Sequence, residues 1–473
     1  MTTPWSLIEM QAKVTPTALA LVTPDSVMRF AELRAAVLGV ASRLSRLPLK
    51  TGDTIGIAMQ GPDDQLLFAL GAMRQGIVTA PVTSRESFAS LERPALVLTD
   101  GSKVRPDGTY ALQVDAGWYQ IGARSVPDEV KPDPDAPCRV FISSGSSGQP
   151  KASMQSFGGL TTQVENIGAT LSAIGGSRRL LTLMLPSSPW GLRTALVALT
   201  RGTAVYYSHD VDTAVRFALV NGCDYLVCSV QQLRSIVELQ RRNFMALPEL
   251  RAVGTAGSTI PLGLVQDTQS LLAPSVLLIY GSSEAGLTAF ELANFQPWQD
   301  GATGYITPWT QVRIVDETGD EVRPGEEGEL LVRAAGQVPG LGEAADDGGL
   351  PWIRPGDRGS VSPEGRLTIV GRVGSIFNLG GVKVSADRIE ELLLAHPAVK
   401  DAGAIAVRGE DGVDVVEAAV VLSAPTTPDD IIAHIQKRMP SAAPRRVVIV
   451  PAIPRGGDAN KVQREDLKRM MMN

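Results

Sequence analysis

A run of six small residues, Ser143-Ser144-Gly145-Ser146-Ser147-Gly148, follows the apolar stretch Val140-Phe141-Ile142 and leads through Gln149-Pro150 to Lys151. Glycine and serine let a backbone bend until several N–H groups converge, and the hydroxyls add donors, so the segment suits a polyphosphate with Lys151 beside it. The spacing is not that of a Walker loop, and the same residues also make an ordinary Ser/Gly surface loop. A second segment, Tyr280-Gly281-Ser282-Ser283-Glu284-Ala285-Gly286, follows the apolar residues 275–279. Tyr280 can cover a base and Glu284 can hold Mg²⁺ on phosphates, or the serine and glutamate simply cap a turn that starts a helix. In Pro355-Gly356-Asp357-Arg358-Gly359, Asp357 is a candidate acceptor for ribose hydroxyls, and in Gly371-Arg372 the arginine is a candidate for ribose or phosphate contacts. Lys461 lies in the Gly-rich segment Pro454-Arg455-Gly456-Gly457-Asp458-Ala459-Asn460-Lys461, where it would otherwise pass for a solvated surface lysine.

The elements that must position these residues are legible as a rhythm. Residues 54–59 (TIGIAM) read as a buried strand, 64–76 as a helix ending in glycine, and 77–82 as a strand again. Strand-like runs return at 203–207, 225–229, 250–254 and 276–280 with helix-length stretches between, which predicts βαβ units and mostly parallel sheets. From 305 to 332 the pattern changes to short strands with turn pairs, a small β subdomain. The last hundred residues read as a compact α+β unit, with a helix at 387–396 and another opened by Thr427-Pro428. The predicted class is therefore α/β, with a small β subdomain at about 304–373 and a small C-terminal α+β domain.

Composition narrows the chemistry. The 473 residues carry a net charge of −6, which argues against a dedicated nucleic-acid binder, and three histidines rule against chemistry built on several imidazoles. Three cysteines are too few for a disulfide framework, the opening residues lack a basic flank followed by an apolar stretch, and no apolar run is long enough to span a bilayer. A cytoplasmic enzyme without a membrane span is expected.

Taken together and in order, these segments resemble the adenylate-forming superfamily of acyl-CoA ligases, adenylation domains and beetle luciferases. Residues 143–151 resemble its phosphate loop ending in Pro-Lys, Gly254-Thr255-Ala256-Gly257 its segment between adenine and acyl pocket, and Tyr280–Glu284 its Tyr-Gly-x-Thr-Glu motif. Gly328-Glu329-Leu330, Gly356-Asp357, Gly371-Arg372, the Gly-rich loop at Gly380-Gly381 and Lys461-Val462-Gln463-Arg464 complete the series across essentially the whole chain. There are departures: Ser283 stands for threonine, Pro355 for threonine, Gly374 for the usual hinge aspartate, Asn378 for a frequent basic residue, and Asn460 for glycine.

The resemblance implies a large N-terminal domain over 1–373 and a mobile C-terminal domain over 374–473. It also implies two half-reactions at one site. A carboxylate attacks the α-phosphorus of ATP to give an acyl-adenylate, and a thiol, of CoA or of a carrier-protein phosphopantetheine, then displaces AMP. Lys461, Lys151, Glu284 and Ser283 become the expected catalytic residues, with Glu284 on Mg²⁺. The nucleotide is assigned to Ser143, Ser144, Gly145, Ser146, Ser147, Gly148, Ala256, Gly257, Tyr280, Gly281, Ser282, Asp357 and Arg372. The acyl pocket falls to Trp190, Gly191, Gly254, Ala285, Gly286 and Leu287, and thiol access and the hinge to Gly374, Gly380 and Gly381. Ser188-Pro189-Trp190 supplies no carboxylate for an ammonium, so an α-amino acid is disfavoured, while Arg193 is either a partner for a second carboxylate or a structural arginine. The expected substrate is a small carboxylic acid, the protein a monomer or homodimer. A free-standing ligase that loads a carrier protein, and a nucleotide-binding protein of the same fold without turnover, are the rival readings.

Overall fold

The computed structural model describes residues 2–89, 91, 94–101, 111–120, 128–144, 150–173, 175–208, 210–258, 260–293, 302–344, 347–373, 376–379, 382–408, 414–456 and 461–472. Of the expected site, Gly145, Ser146, Ser147, Gly148, Gly374, Gly380 and Gly381 lie outside these residues, and Ser143, Ser144, Lys151 and Lys461 are placed by their backbone alone.

Apolar runs with no alternation pack on both faces, and that is what the central strands do. Tyr225–Ser229 is buried at every position and lies parallel to Arg179–Thr182 on one side and Ala252–Ala256 on the other. Ser275–Ser282 extends the parallel run, and the next strand, Gly286–Leu292, turns back antiparallel to it. Among the described residues the sheet has thirteen strands, and pairing continues from Gly286–Leu292 through Ala302–Ile306 into the antiparallel strands of the β region at its far edge. The buried Glu291 carboxylate accepts from Arg366 at 2.8 to 3.0 Å, fastening that edge to the sheet. A second sheet of six strands has Thr54–Ala58 at its middle and ends in the hairpin Pro137–Ser144 and Pro150–Ser156.

Between the two sheets lies the largest apolar cluster, joining Trp5, Phe30, Leu66, Phe141, Phe157, Leu192, Tyr207, Tyr225 and Leu277. The opposite face of the large sheet is covered by the helices Val211–Asn221, Val230–Arg242 and Leu262–Leu271. Side chains set where helices begin: Ser229 and Gln232 cap each other's backbone at the start of Val230–Arg242, and Ser188 accepts from Gly191 N at 2.9 Å to open Pro189–Thr200.

The C-terminal unit has its own core around Ala402, Ala418, Ile389 and Ile431, with the helices Ala386–Leu394 and Pro428–Gln436 on the three-stranded sheet. Thr427 caps the second helix and Pro428 occupies its first turn, as the sequence predicts. Two expectations shift. The strand read at 250–254 runs Ala252–Ala256, because the glycine at 254 sits inside the ladder rather than ending it. The turn at Ser283-Glu284 opens no helix: it joins two antiparallel strands.

Candidate active site

Of the expected site residues, Gly254, Ala256, Gly257 and Tyr280–Ser282 lie toward the carboxyl ends of strands in the large sheet, where open α/β sheets bind ligands, whereas Ser143, Ser144 and Lys151 lie on the six-stranded sheet and Lys461 in the C-terminal unit. Exposure rises along the strands toward those carboxyl ends: Gly254 is buried, Ala256 half-buried and Gly257 exposed, and Gly257 has a φ of 97°. In the neighbouring strand the register slips between Tyr280 and Gly281. A Cβ on Gly281 would stand 2.3 Å from the Gly286 carbonyl oxygen, so only glycine lets the chain fold back this tightly. Ser282 Oγ accepts from Ala285 N at 2.9 Å and closes the turn that carries Ser283 and Glu284.

Tyr280, Asp357 and Arg372, distant in sequence, meet here. The Tyr280 hydroxyl donates to Asp357 Oδ2 at 2.6 Å, and Arg372 Nε lies 3.0 Å from Asp357 Oδ1. Arg372 also donates to the Pro355 carbonyl at 3.2 Å. The register of their strands makes this meeting, since Asp357 pairs directly with Arg372. Burial, with the Asp357 carboxylate next to it, holds the Tyr280 phenol well above its ordinary range, so it stays a donor at neutral pH. A carboxylate has about four acceptor sites, so Asp357 retains capacity for further hydroxyl donors after these two partners.

Residues 143–144 and 150–151 end two paired antiparallel strands: Ser143 lies opposite Lys151 and Ser144 opposite Pro150. Arg193 ties this pair to the Glu284 turn. Its guanidinium lies 4.8 Å from the centre of the Phe141 ring, and donates to Gln155 Oε1 at 3.3 Å and to the Ser283 carbonyl at 2.9 Å. Burial pulls its pKa down to about 10 while Glu284 works in the other direction, so it remains a cation behind the carboxylate. The structural alternative for Arg193 therefore holds. From Gln155 the network continues: Gln155 and Gln163 both donate to the Gly336 carbonyl, at 3.1 and 2.7 Å. Gln163 in turn occupies the space beside Gly286, whose φ is 80°. Nothing in the sequence marks Gln155 or Gln163, because each is an unremarkable amide that meets Gly336 more than 150 positions away.

Trp190 and Gly191 open the helix Pro189–Thr200. A Cβ on Gly191 would stand 2.0 Å from the Leu185 carbonyl oxygen, which accounts for the glycine. Trp190 and Ala256 pack on the cluster between the sheets, and Leu287 and Ala285 are buried beside the turn. In the C-terminal unit Lys461 pairs with Gly456 across a short ladder. That ladder is anchored by Arg455 on Asp401 at 2.6 Å, and the helix after it by Arg464 on Asp387 at 2.9 Å and Glu390 at 3.2 Å.

Magnesium fits the residues present: among the described residues no group of three or more His, Cys, Asp or Glu could hold a metal, and Mg²⁺ with phosphates needs only one or two carboxylates. Glu284 is the carboxylate in place. Thiol nucleophiles of the protein are not, since burial pushes Cys138 and Cys223 up to about 12.

Comparison with known proteins agrees with this geometry. Residues 8–341 match the model of the AMP-binding enzyme family and residues 388–459 that of the AMP-binding enzyme C-terminal domain. The 2-succinylbenzoate–CoA ligase of Bacillus subtilis is 25% identical, over 97% of this chain and 96% of its own. The 4-chlorobenzoate–CoA ligase of an Arthrobacter species is 26% identical, over 100% of this chain and 96% of its own. The structure of o-succinylbenzoate CoA synthetase from Bacillus subtilis in complex with its acyl-adenylate intermediate superposes with a TM-score of 0.86 at 22% identity, covering 99% and 98% of the two chains. With over half its length matched by the family model, the chain belongs to the AMP-binding enzyme family.

Proposed function

We propose that this protein is an AMP-forming acid–thiol ligase that activates a carboxylic acid with ATP and transfers the acyl group to CoA. The observation that carries the reading is the convergence of two sequence motifs through one buried cation: Arg193 stacks on the hairpin bearing residues 143–151 and holds the turn bearing Glu284. Phosphoryl-type displacement needs alignment and neutralised charge more than covalent help, and this is what the site offers. Mg²⁺, when bound, would neutralise charge on the phosphates. Glu284 would hold it, Lys151 and the hairpin backbone would hold the polyphosphate, and Ser283 would add a hydroxyl donor. Asp357 accepts from the ribose hydroxyls, Arg372 steadies that carboxylate, and Tyr280 lies beside the base. Lys461 bridges the substrate carboxylate and the α-phosphate while negative charge develops between them.

The second half-reaction then needs Lys461 out of the way, and rotation of residues 374–473 about a hinge at Gly374, with Gly380 and Gly381 approaching the thiol, supplies it. The ligases named above support CoA as acceptor, and a carrier-protein pantetheine is the rival. A monomer or homodimer in the cytoplasm suits the reading; no described helix is long and apolar enough to cross a membrane. Pyrophosphate release over a panel of carboxylic acids tests the first step, and adding CoA or a carrier to preformed acyl-adenylate tests the second. Tight ATP binding with no pyrophosphate released from any acid would return the protein to the rival reading of a binder without turnover.

A further inference from the structure

A buried hydroxyl lies over Gly254 in the large sheet. Tyr225 begins its strand level with Ala252, yet its ring leans along the sheet: a Cβ on Gly254, two residues nearer the carboxyl edge, would stand 2.4 Å from the Tyr225 hydroxyl. Tyr225 thus takes the space that a side chain at position 254 would fill, on the face where Val227, Trp190 and Ala256 also pack. The residue is 2% exposed, and its hydroxyl makes no hydrogen bond among the described residues. A buried hydroxyl left without a partner is a cost that phenylalanine at the same place would avoid. The Trp190 indole N–H, on a residue packed against the same cluster, is also buried and has no partner among the described residues.

We infer that Tyr225 is the floor of the acyl pocket and its hydroxyl the recognition group for the far end of the substrate, so that the acid is compact and carries a hydrogen-bonding oxygen remote from its carboxylate. This rests on the ligase reading above. An acid entering past Gly257 and Ala256 with its carboxylate at the exposed edge has its other end directed down the strands toward Gly254. There the phenol closes the path and offers one donor and acceptor in an apolar wall. A substrate oxygen satisfies it; a methyl group of the same size leaves it unpaired.

The test compares matched acids, 4-hydroxybenzoate with 4-methylbenzoate and 4-oxopentanoate with 4-methylpentanoate, by kcat/KM for pyrophosphate release. The wild-type protein is expected to favour the oxygen-bearing member of the better-used pair by about tenfold or more. Tyr225→Phe should bring that ratio toward one with KM for ATP unchanged, and Tyr225→Ala should admit longer acids. Tyr207→Phe is the control, because the Tyr207 hydroxyl is equally buried and unpartnered in the same cluster but lies in a strand three places from that of Gly254. A wild-type preference for the methyl member, an unchanged ratio in Tyr225→Phe, or an equal change in Tyr207→Phe would overturn the inference and leave the ligase reading standing. Pyrophosphate release from no acid at all would remove that reading and the inference with it.

Discussion

Two clusters of charge, one drawn from residues 193–372 and the other from residues 387–464, are built differently. Around Glu284 and Asp357, the groups come from distant segments: Arg193 reaches a carbonyl, and Arg372 and Tyr280 share one carboxylate. Around Glu390, by contrast, Arg464 and the Ala404 N–H both meet the same carboxylate oxygen, while Arg455 closes on Asp401. The first cluster leaves the Arg372 guanidinium partly exposed; the second holds the ladder of Lys461 to the strand Val399–Arg408 and the helix Arg464–Met472 to the helix Ala386–Leu394. The difference teaches which charges serve a ligand and which serve the fold. Variants in the two clusters should separate accordingly, with activity lost in one and stability in the other.

The sharpest break in that division is Lys461, which belongs to the second cluster by location and to the first by its proposed role. Lys461→Ala should cut adenylate formation by ~10²–10³, the loss of about 2.7–4 kcal/mol that follows removal of one transition-state contact. Its melting temperature should stay within the small range of surface substitutions, and thioester formation from synthetic acyl-adenylate should be spared. Equal damage to both half-reactions in single-turnover assays would place Lys461 with the structural charges instead.

Glu390 tests the structural cluster through pH. Burial pushes its carboxyl up to about 7, with Arg464 opposing, so the folded protein holds a proton that the unfolded chain has released. The contribution of Glu390 is therefore fully present below the ordinary carboxylate range and is lost as pH rises from about 4.5 to about 7, on the order of 3 kcal/mol at most. Glu390→Gln should flatten that part of the stability curve in denaturant titrations and leave adenylation near its wild-type rate at a fixed pH.

Asp357 tests the ligand cluster. Asp357→Ala removes the acceptor shared by Tyr280 and Arg372, and hydrogen bonds involving charged groups are worth about 1.5–3 kcal/mol. KM for ATP should rise by roughly ten- to a hundredfold, with a much smaller change for the acid; a change confined to thermal stability would assign Asp357 to the fold. The smallest effect is expected at the proposed hinge. Gly374→Pro fixes φ near −65° and restricts Val373, so the thioester step should slow by under about tenfold while adenylation holds. An unchanged ratio of the two half-reactions would move the hinge to Ser375.

How much of this was legible in the chain depends on how far each residue's partners lie from it. The buried strand Tyr225–Ser229, the Thr427 cap and the small-residue run after Ile142 announce themselves, because periodicity, capping and turn chemistry act over a few neighbouring residues. The order of motifs along the chain identified the family, and the scarcity of histidine and cysteine excluded other chemistries. The turn after Gly281 carries a Ser-Glu pattern that suits a helix start; strand pairing with Gly286–Leu292 makes it a hairpin instead.

The sequence by itself determined the alternation of strands and helices, the glycines and serines at the turns, and the supply of charges in their order. Only the tertiary structure decided which of those charges meet. Strand register set Asp357 against Arg372, and the packing of one helix between two sheets carried Arg193 from Phe141 to Ser283. It also decided that Tyr225, an ordinary strand tyrosine in sequence, lies over Gly254 with its hydroxyl unpaired. The physical reason is range: backbone propensity is local, whereas burial and hydrogen bonding join residues that the chain brings together only after its layers have packed.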